Sequence, residues 1–212
     1  MILSSETSTK VFFEKAFKRT EISTVRKELL VEIAQKIAAE YKKDKKINLN
    51  FICTHNSRRS QLAQVWGFFA AQYFVLPTIY SFSGGTETTA FHRNTVKTLQ
   101  KSGFTFNLVE FSHQNPKYLI SYKETNTSII AYSKLFDDAK NNSPFIAITT
   151  CDSADANCPY VSHAIHRFHL PFVDPKHADE TDKKDEVYLQ TNKQIAAEIY
   201  FLFDKIKRLL NF

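Results

Sequence analysis

An apolar run that ends on a cysteine, with two arginines and a serine just behind it, is an arrangement that can do chemistry. The chain reads Ile47-Asn-Leu-Asn-Phe-Ile52, then Cys53-Thr-His-Asn-Ser-Arg-Arg-Ser60. If the run is a strand and Ser60 opens a helix, Cys53 stands at the carboxyl edge of the sheet, where open α/β sheets bind ligands. Successive backbone N–H groups of Thr54, His55, Asn56, Ser57, Arg58, Arg59 and Ser60 then form a concave nest, and the helix N-terminus adds partial positive charge. Arg59 supplies a planar fork of donors suited to a tetrahedral oxyanion. The same field favours the thiolate over the thiol at Cys53, and the Ser60 hydroxyl can donate to that sulfur. Asn56 tolerates the left-handed backbone a tight nest demands. Arg58 is expected to point outward and add only general positive field. The competing reading is a buried, inert cysteine at a strand end.

The surrounding pattern must hold this loop. Val25, Leu29, Ile33, Ile37 and Tyr41 recur every fourth residue and predict a helix with one apolar stripe, ended by the lysines at 42–46. A shorter helical stretch precedes it around Val11–Phe17. After the strand at 47–53 comes a helix from Ser60 to Phe74, then a short strand at 78–84 with a Gly84–Gly85 turn. A helix comes next near His92–Ser102, with Gly103 at its end. Phe145–Thr150 is a continuous apolar run of the buried parallel type. HRFHLPF at 166–172 reads as the fourth strand and 185–210 as the last helix. Residues 112–144 match neither period and read as an irregular insertion. Strands alternating with helices give an α/β fold: a four-stranded parallel sheet flanked by helices. The division expected is an N-terminal helical extension over 1–46 and a catalytic domain over 47–212.

Composition excludes some classes. The net charge of +6 is concentrated at the start, since residues 1–47 carry 11 of the 28 Lys and Arg but only 7 of the 22 Asp and Glu. A lysine cluster at a helix end is a solvated terminus favoured by the helix dipole, so no nucleic-acid partner is expected. No apolar run is long enough to span a membrane and the first ten residues lack a signal-peptide core, so a soluble cytoplasmic protein is expected. His163, His166 and His169 stand three apart, a spacing that gives no clean ligand set on a strand or a helix, and no metal is expected.

The loop, Cys-x5-Arg-Ser, resembles the signature of the low-molecular-weight protein tyrosine phosphatase superfamily. SFSGGTET at 81–88 looks like that family's second-strand turn, and Asp174-Pro175 like its Asp-Pro loop, whose Asp is the general acid. The three motifs fall in the family's order over roughly residues 47–210. Within that superfamily the chain is similar to the thioredoxin-coupled arsenate reductases. These carry two further cysteines seven positions apart after the third core strand, and Cys151, Asp155, Cys158 and Pro159 match that segment. Thr54, Asn56, Ser57, the Ser60-Gln61 pair and Trp66-Gly67 also read like the reductases.

The resemblance implies arsenate reduction through a thiol relay without a cofactor: Cys53 attacks the oxyanion, Asp174 protonates the departing oxygen, and Cys151 and Cys158 resolve the adduct. Thioredoxin would be the reductant. A phosphatase working through a Cys53 phosphoenzyme is the alternative, and a non-catalytic oxyanion-binding regulatory module the second. The residues after Asp174-Pro175 are Lys176, His177 and Ala178, where phosphatases carry aromatic ones, which favours the reductase. Three departures stand out: His55 where reductases have Gly, Arg58 where a small residue or Cys is usual, and Gln64 in place of an acidic residue near a potassium site. No potassium is therefore expected. The oligomeric state is left open.

Overall fold

The computed structural model describes residues 8–123, 125–157 and 160–211. Cys158 and Pro159 lie outside them. The chain begins with helices α1 (Thr9–Arg19) and α2 (Thr24–Asp44), which lead into strand β1 (Ile47–Cys53) and helix α3 (Arg59–Tyr73). Next come β2 (Ile79–Gly85), α4 (Arg93–Lys101), and the strands β3 (Phe104–Glu110), β4 (Lys117–Tyr122) and β5 (Ile129–Ala131). The remainder is β6 (Phe145–Thr149), α5 (Asp152–Asn157), β7 (Ala164–His169), a 3₁₀ turn (Pro175–Ala178) and α6 (Lys184–Leu210).

Four strands form a parallel sheet in the order β2-β1-β6-β7. Gly84 and Gly85, expected as a turn, are the last two residues of β2, and the register sets Cys53 opposite Gly85, so the nucleophile candidate and the glycine pair end their strands side by side. Alternation along the strands divides their side chains between two faces. Leu49, Phe51, Ile146 and Ile148 enter the main core with α2, α3 and α6, while Ile52, Phe145 and Ala147 join Cys53, Cys151 and Ala154 in a smaller buried cluster.

Three sequence expectations need correction. Residues 112–144 are not an irregular insertion: β4 and β5 lie there and pair with β3 in a second, antiparallel sheet of order β3-β4-β5. The fourth parallel strand runs over Ala164–His169 rather than 166–172, although the chain stays beside β6 a little further: Leu170 N and Phe172 N donate to Thr149 O and Thr150 O, with Pro171, which has no N–H, between them on the edge strand. The stripe of α2 also fails at its first member: Ile33, Ile37 and Tyr41 are buried and Leu29 packs against the core, but Val25 is 75% exposed, and Leu30, Ala34 and Ala38 complete the buried set. A strict four-residue repeat precesses about 40° per step around a helix of 3.6 residues per turn, so its first member ends far from its last.

The first two helices are part of the packing. Phe13 is fully buried and stacks on Trp66 with ring centres 5.3 Å apart. The Trp66 indole donates to Asn192 Oδ1 at 2.7 Å, so its single polar atom is satisfied inside the core. From α2, Arg26 grips both carboxylate oxygens of Glu198 in α6, and Glu198 is fully buried. Ser23 caps α2 by accepting from Arg26 N, and Lys45 closes it in the left-handed conformation at φ 57°. No helix among the described residues is long and apolar enough to cross a membrane.

Candidate active site

Thr54 to Arg58 link β1 to α3, and every carbonyl from Cys53 to Arg58 has a donor. Cys53 O accepts from Thr86 N and Thr54 O from Glu87 N. His55 O accepts from the hydroxyls of Ser133 and Thr89, and Asn56 O from Gln61 Nε2. Ser57 O accepts from His92 N, and Arg58 O from Leu62 N. A peptide's N–H points roughly opposite its C=O, so tying the carbonyls outward turns the amides inward. Among the described residues, no amide from Thr54 to Arg58 donates to a protein acceptor. An inward ring of unused N–H groups at a helix start is an anion receptor.

One residue sets the curl. Asn56 has φ 46°, the left-handed value expected of it, while His55 does not share that conformation. The Asn56 side chain is fully buried. Its Oδ1 accepts from Lys134 N at 2.9 Å and from Gln61 Nε2 at 3.1 Å. Its Nδ2 donates to Ser60 Oγ at 2.9 Å. Because Ser60 Oγ accepts there, its own proton is directed at Cys53 Sγ, 3.0 Å away. Cys53 is 4% exposed, so the sulfur has this hydroxyl and the nest rather than water. Gly85 makes room: a Cβ there would stand 2.7 Å from Thr54 O and 2.9 Å from Asn56 N.

The two arginines divide their work. Arg59 Nη2 donates to Asp174 Oδ2 at 2.6 Å and its Nη1 to Phe172 O at 3.0 Å. Asp174 also caps the 3₁₀ turn, its Oδ1 accepting from Lys176 N. The Asp-Pro segment is thus brought to the mouth of the loop. Arg58 does not point outward as expected. Its Nε donates to Tyr188 Oη at 2.6 Å and its Nη2 to Asp179 Oδ2. Tyr188 Oη donates to Asp179 Oδ1, and His92 Nδ1 lies 3.1 Å from that hydroxyl. Burial pulls the Asp179 carboxyl upward, but the Tyr188 hydroxyl and Arg58 outweigh it and hold it below the usual carboxylate range. Burial, then the Arg58 charge, lowers His92. Burial and Asp179 push the Tyr188 phenol up, so it stays a donor. The reason Arg58 turns aside is chemical: a half-buried carboxylate and a phenol offer its fork two fixed acceptors that solvent cannot. Asp179 and Tyr188 stand 121 and 130 residues away, beyond any local signal.

Cys151 stands just past β6, next to Cys53 in the same small cluster, and is 2% exposed. Both thiols are free. Cys151 Sγ accepts from Ala154 N at 3.4 Å, as a cap does at a helix start, and lies 3.6 Å from Thr54 Oγ1. Short α5 is held by side chains. Asp155 Oδ1 accepts from Arg167 Nη2 and, at 2.8 Å, from Thr149 Oγ1, and His169 Nε2 lies 2.9 Å from Asp152 Oδ1. The evenly spaced histidines do not converge, because His166 meets Glu40 at 3.1 Å and His163 turns through a left-handed φ of 65°. Gln64 is buried, and its Oε1 accepts from Ser83 Oγ.

Sequence reasoning missed Gln61, Ser133 and the Lys134 amide as supports of the loop. For Gln61 a signal existed, since a buried amide five residues past an asparagine can reach back from a helix's first turn. For residues 133 and 134 none did, because they approach through tertiary packing.

No family model matches the chain. Over 133 residues it is 30% identical to arsenate reductase 2 of Staphylococcus haemolyticus, a match that spans 62% of this chain and 80% of that protein. Over 140 residues it is 27% identical to the arsenate reductase of Bacillus subtilis, spanning 66% of this chain and 82% of that one. Among solved structures, a low-molecular-weight protein tyrosine phosphatase from T. tengcongensis superposes with a TM-score of 0.52 at 16% identity, over 76% of this chain and 99% of that one.

Proposed function

Because the chain belongs to the arsenate reductases, built on the low-molecular-weight phosphatase fold, we propose that it reduces arsenate to arsenite with Cys53 as nucleophile. Arsenate enters the ring of amides and draws the Arg59 guanidinium from Asp174 onto its own oxygens. The freed Asp174 carboxyl is then beside the oxygen that must leave. Cys53 thiolate attacks arsenic, an As–O bond breaks, and Asp174 gives the departing oxygen its proton. Arg59 and the amides hold the charge that builds on the remaining oxygens.

Reduction is the next step. Cys151 thiolate attacks Cys53 Sγ, the S–As bond breaks, and its electron pair goes to arsenic, which leaves as arsenite. A Cys53–Cys151 disulfide remains. Cys158 then attacks Cys151 and returns Cys53 as thiolate. The Cys151–Cys158 disulfide left behind is reduced by an external dithiol, for which thioredoxin is the proposed donor. The observation that carries this reading is the pairing of two free, buried cysteines in one cluster at the ends of adjacent parallel strands, beside an unused ring of amides. A phosphatase needs only the first of them.

The test is arsenate-dependent NADPH consumption with thioredoxin and thioredoxin reductase. Wild type should turn over and Cys53→Ser should not. Reduced, folded wild type that consumes no NADPH overturns the reading.

A further inference from the structure

Beside the loop, on the far side of residues 132–134, lies a cavity of about 440 Å³ that the thiol chemistry does not use. Its walls are apolar at Phe82, Val109, Ile129 and Ile130 and basic at Lys117, Lys134 and Lys140, with one carboxylate at Glu110. That volume is within the range of small-molecule sites.

Lys134 is the anomaly. It is 3% exposed, and its Nζ has no hydrogen-bond partner. Lys117 is already committed to Glu110, at 2.8 Å. Both ammonium groups rest against one ring, each 5.1 Å from the centre of Tyr132. A ring face softens the cost of burying a cation but supplies no acceptor for its protons. Burial holds the Lys134 ammonium down to about 8, against the opposing pull of the Asp138 carboxylate. A buried ammonium with no acceptor for its protons, on the wall of a largely apolar cavity, suits an anion with an apolar body.

The same three residues hold the loop. Tyr132 O accepts from Gln61 Nε2 at 2.8 Å, Ser133 Oγ donates to His55 O at 2.9 Å, and Lys134 N donates to Asn56 Oδ1 at 2.9 Å. The side chains of Tyr132 and Lys134 line the cavity while their backbone grips the nest. We propose that this cavity binds a small organic carboxylate, its apolar body against Ile129, Ile130 and Val109 and its carboxylate on Lys134, and that occupancy is transmitted through residues 132–134 to the oxyanion loop. The Lys134 stem already lines the cavity. Turning its outer bonds brings the ammonium to the ligand, and no hydrogen bond has to break for it to do so.

The probe is benzoate, with neutral benzamide as its isostere, followed by amide chemical shifts in the full-length reduced protein. Benzoate should shift Ile130, Tyr132 and Lys134 saturably, and with them Asn56 and Gln61 across the strip. Benzamide should bind at least tenfold more weakly. Lys134→Met should weaken benzoate at least tenfold, and Ile130→Trp, which fills the cavity from its exposed side, should abolish binding. Equal binding of the two probes, binding that survives Ile130→Trp, or no saturable shift in wild type overturns the proposal. The comparison of probes needs no variant, so it stands even where Lys134→Met fails to fold. None of these readouts uses turnover, so the arsenate reading can fail without it.

Discussion

Two cysteines end neighbouring strands, and the segments behind them are built differently. After Cys53 the backbone itself is fixed: each carbonyl from Cys53 to Arg58 has a donor, and Asn56 is buried with both its side-chain atoms bonded. After Cys151 comes α5, a helix of six residues held chiefly by Asp155 and Asp152 reaching across to β7. A six-residue helix has little intrinsic stability, so its state is decided by those side chains. The contrast matches the two tasks. A receptor for an oxyanion gains from donors that need no reorganisation, while a segment whose cysteine must reach two different sulfurs has to let go.

The largest expected effect separates the two regions outright. Cys151→Ser should abolish steady-state turnover yet leave oxyanion binding to the loop unchanged, measured by phosphate titration of the reduced protein. Loss of binding as well would mean that the regions are not independent. Within the loop, Arg59→Lys should lower kcat on the order of 10²-fold or more and raise KM much less, because lysine cannot copy the fork that holds charge in the transition state. Equal effects on kcat and KM would show that Arg59 serves ground-state binding.

Asn56→Ala tests the rigidity itself. It places a Cβ residue without a local hydrogen bond at positive φ and removes the lock on Ser60, at a cost of about 2 kcal/mol or more. For a chain of this size that lowers Tm by roughly 4–8 °C. No change in Tm would mean the loop is held by its carbonyl donors alone. On the other side, Asp155→Asn should cost only about 1 kcal/mol overall, as expected for a partly exposed ion pair. It should speed amide exchange in α5 about fivefold while the loop stays protected. Uniform acceleration across both regions would erase the distinction.

The smallest effect concerns acid. Burial and then Arg58 lower His92 below its ordinary value in the fold, against the pull of Asp179. The unfolded chain takes up that proton first, so stability falls as pH drops below about 6.5. His92→Gln should flatten the fall in Tm between pH 7.5 and 5.5, and an unchanged slope would remove His92 from the account.

The parallel sheet was legible because β6 is a continuous apolar run and β1 and β2 are short apolar-rich stretches set between helical periods, and the loop because Cys53, Asn56, Arg59 and Ser60 each have a chemical reason to stand where they do. The second sheet was harder. Phe104, Phe106 and Leu108 alternate, as do Tyr118, Ile120 and Tyr122, but β3 is largely exposed and polar residues between the strands dilute the pattern. Arg58 was not readable at all. Its neighbours in sequence say anion, whereas its partners are a carboxylate and a phenol delivered by the 3₁₀ turn and α6.

The pairing of Arg26 with Glu198 has a consequence for how this chain can be shortened. A version starting at β1 would lose the guanidinium together with the helix that carries it over Glu198, so the carboxylate would meet water while the apolar side of α6 that the first two helices bury would lie bare. The loss would be of buried hydrocarbon more than of charge balance. A shortened gene would therefore have to recoat α6 with polar side chains rather than mend position 198 alone, and a lineage that lost the helices first would pass through a less stable, stickier protein on the way.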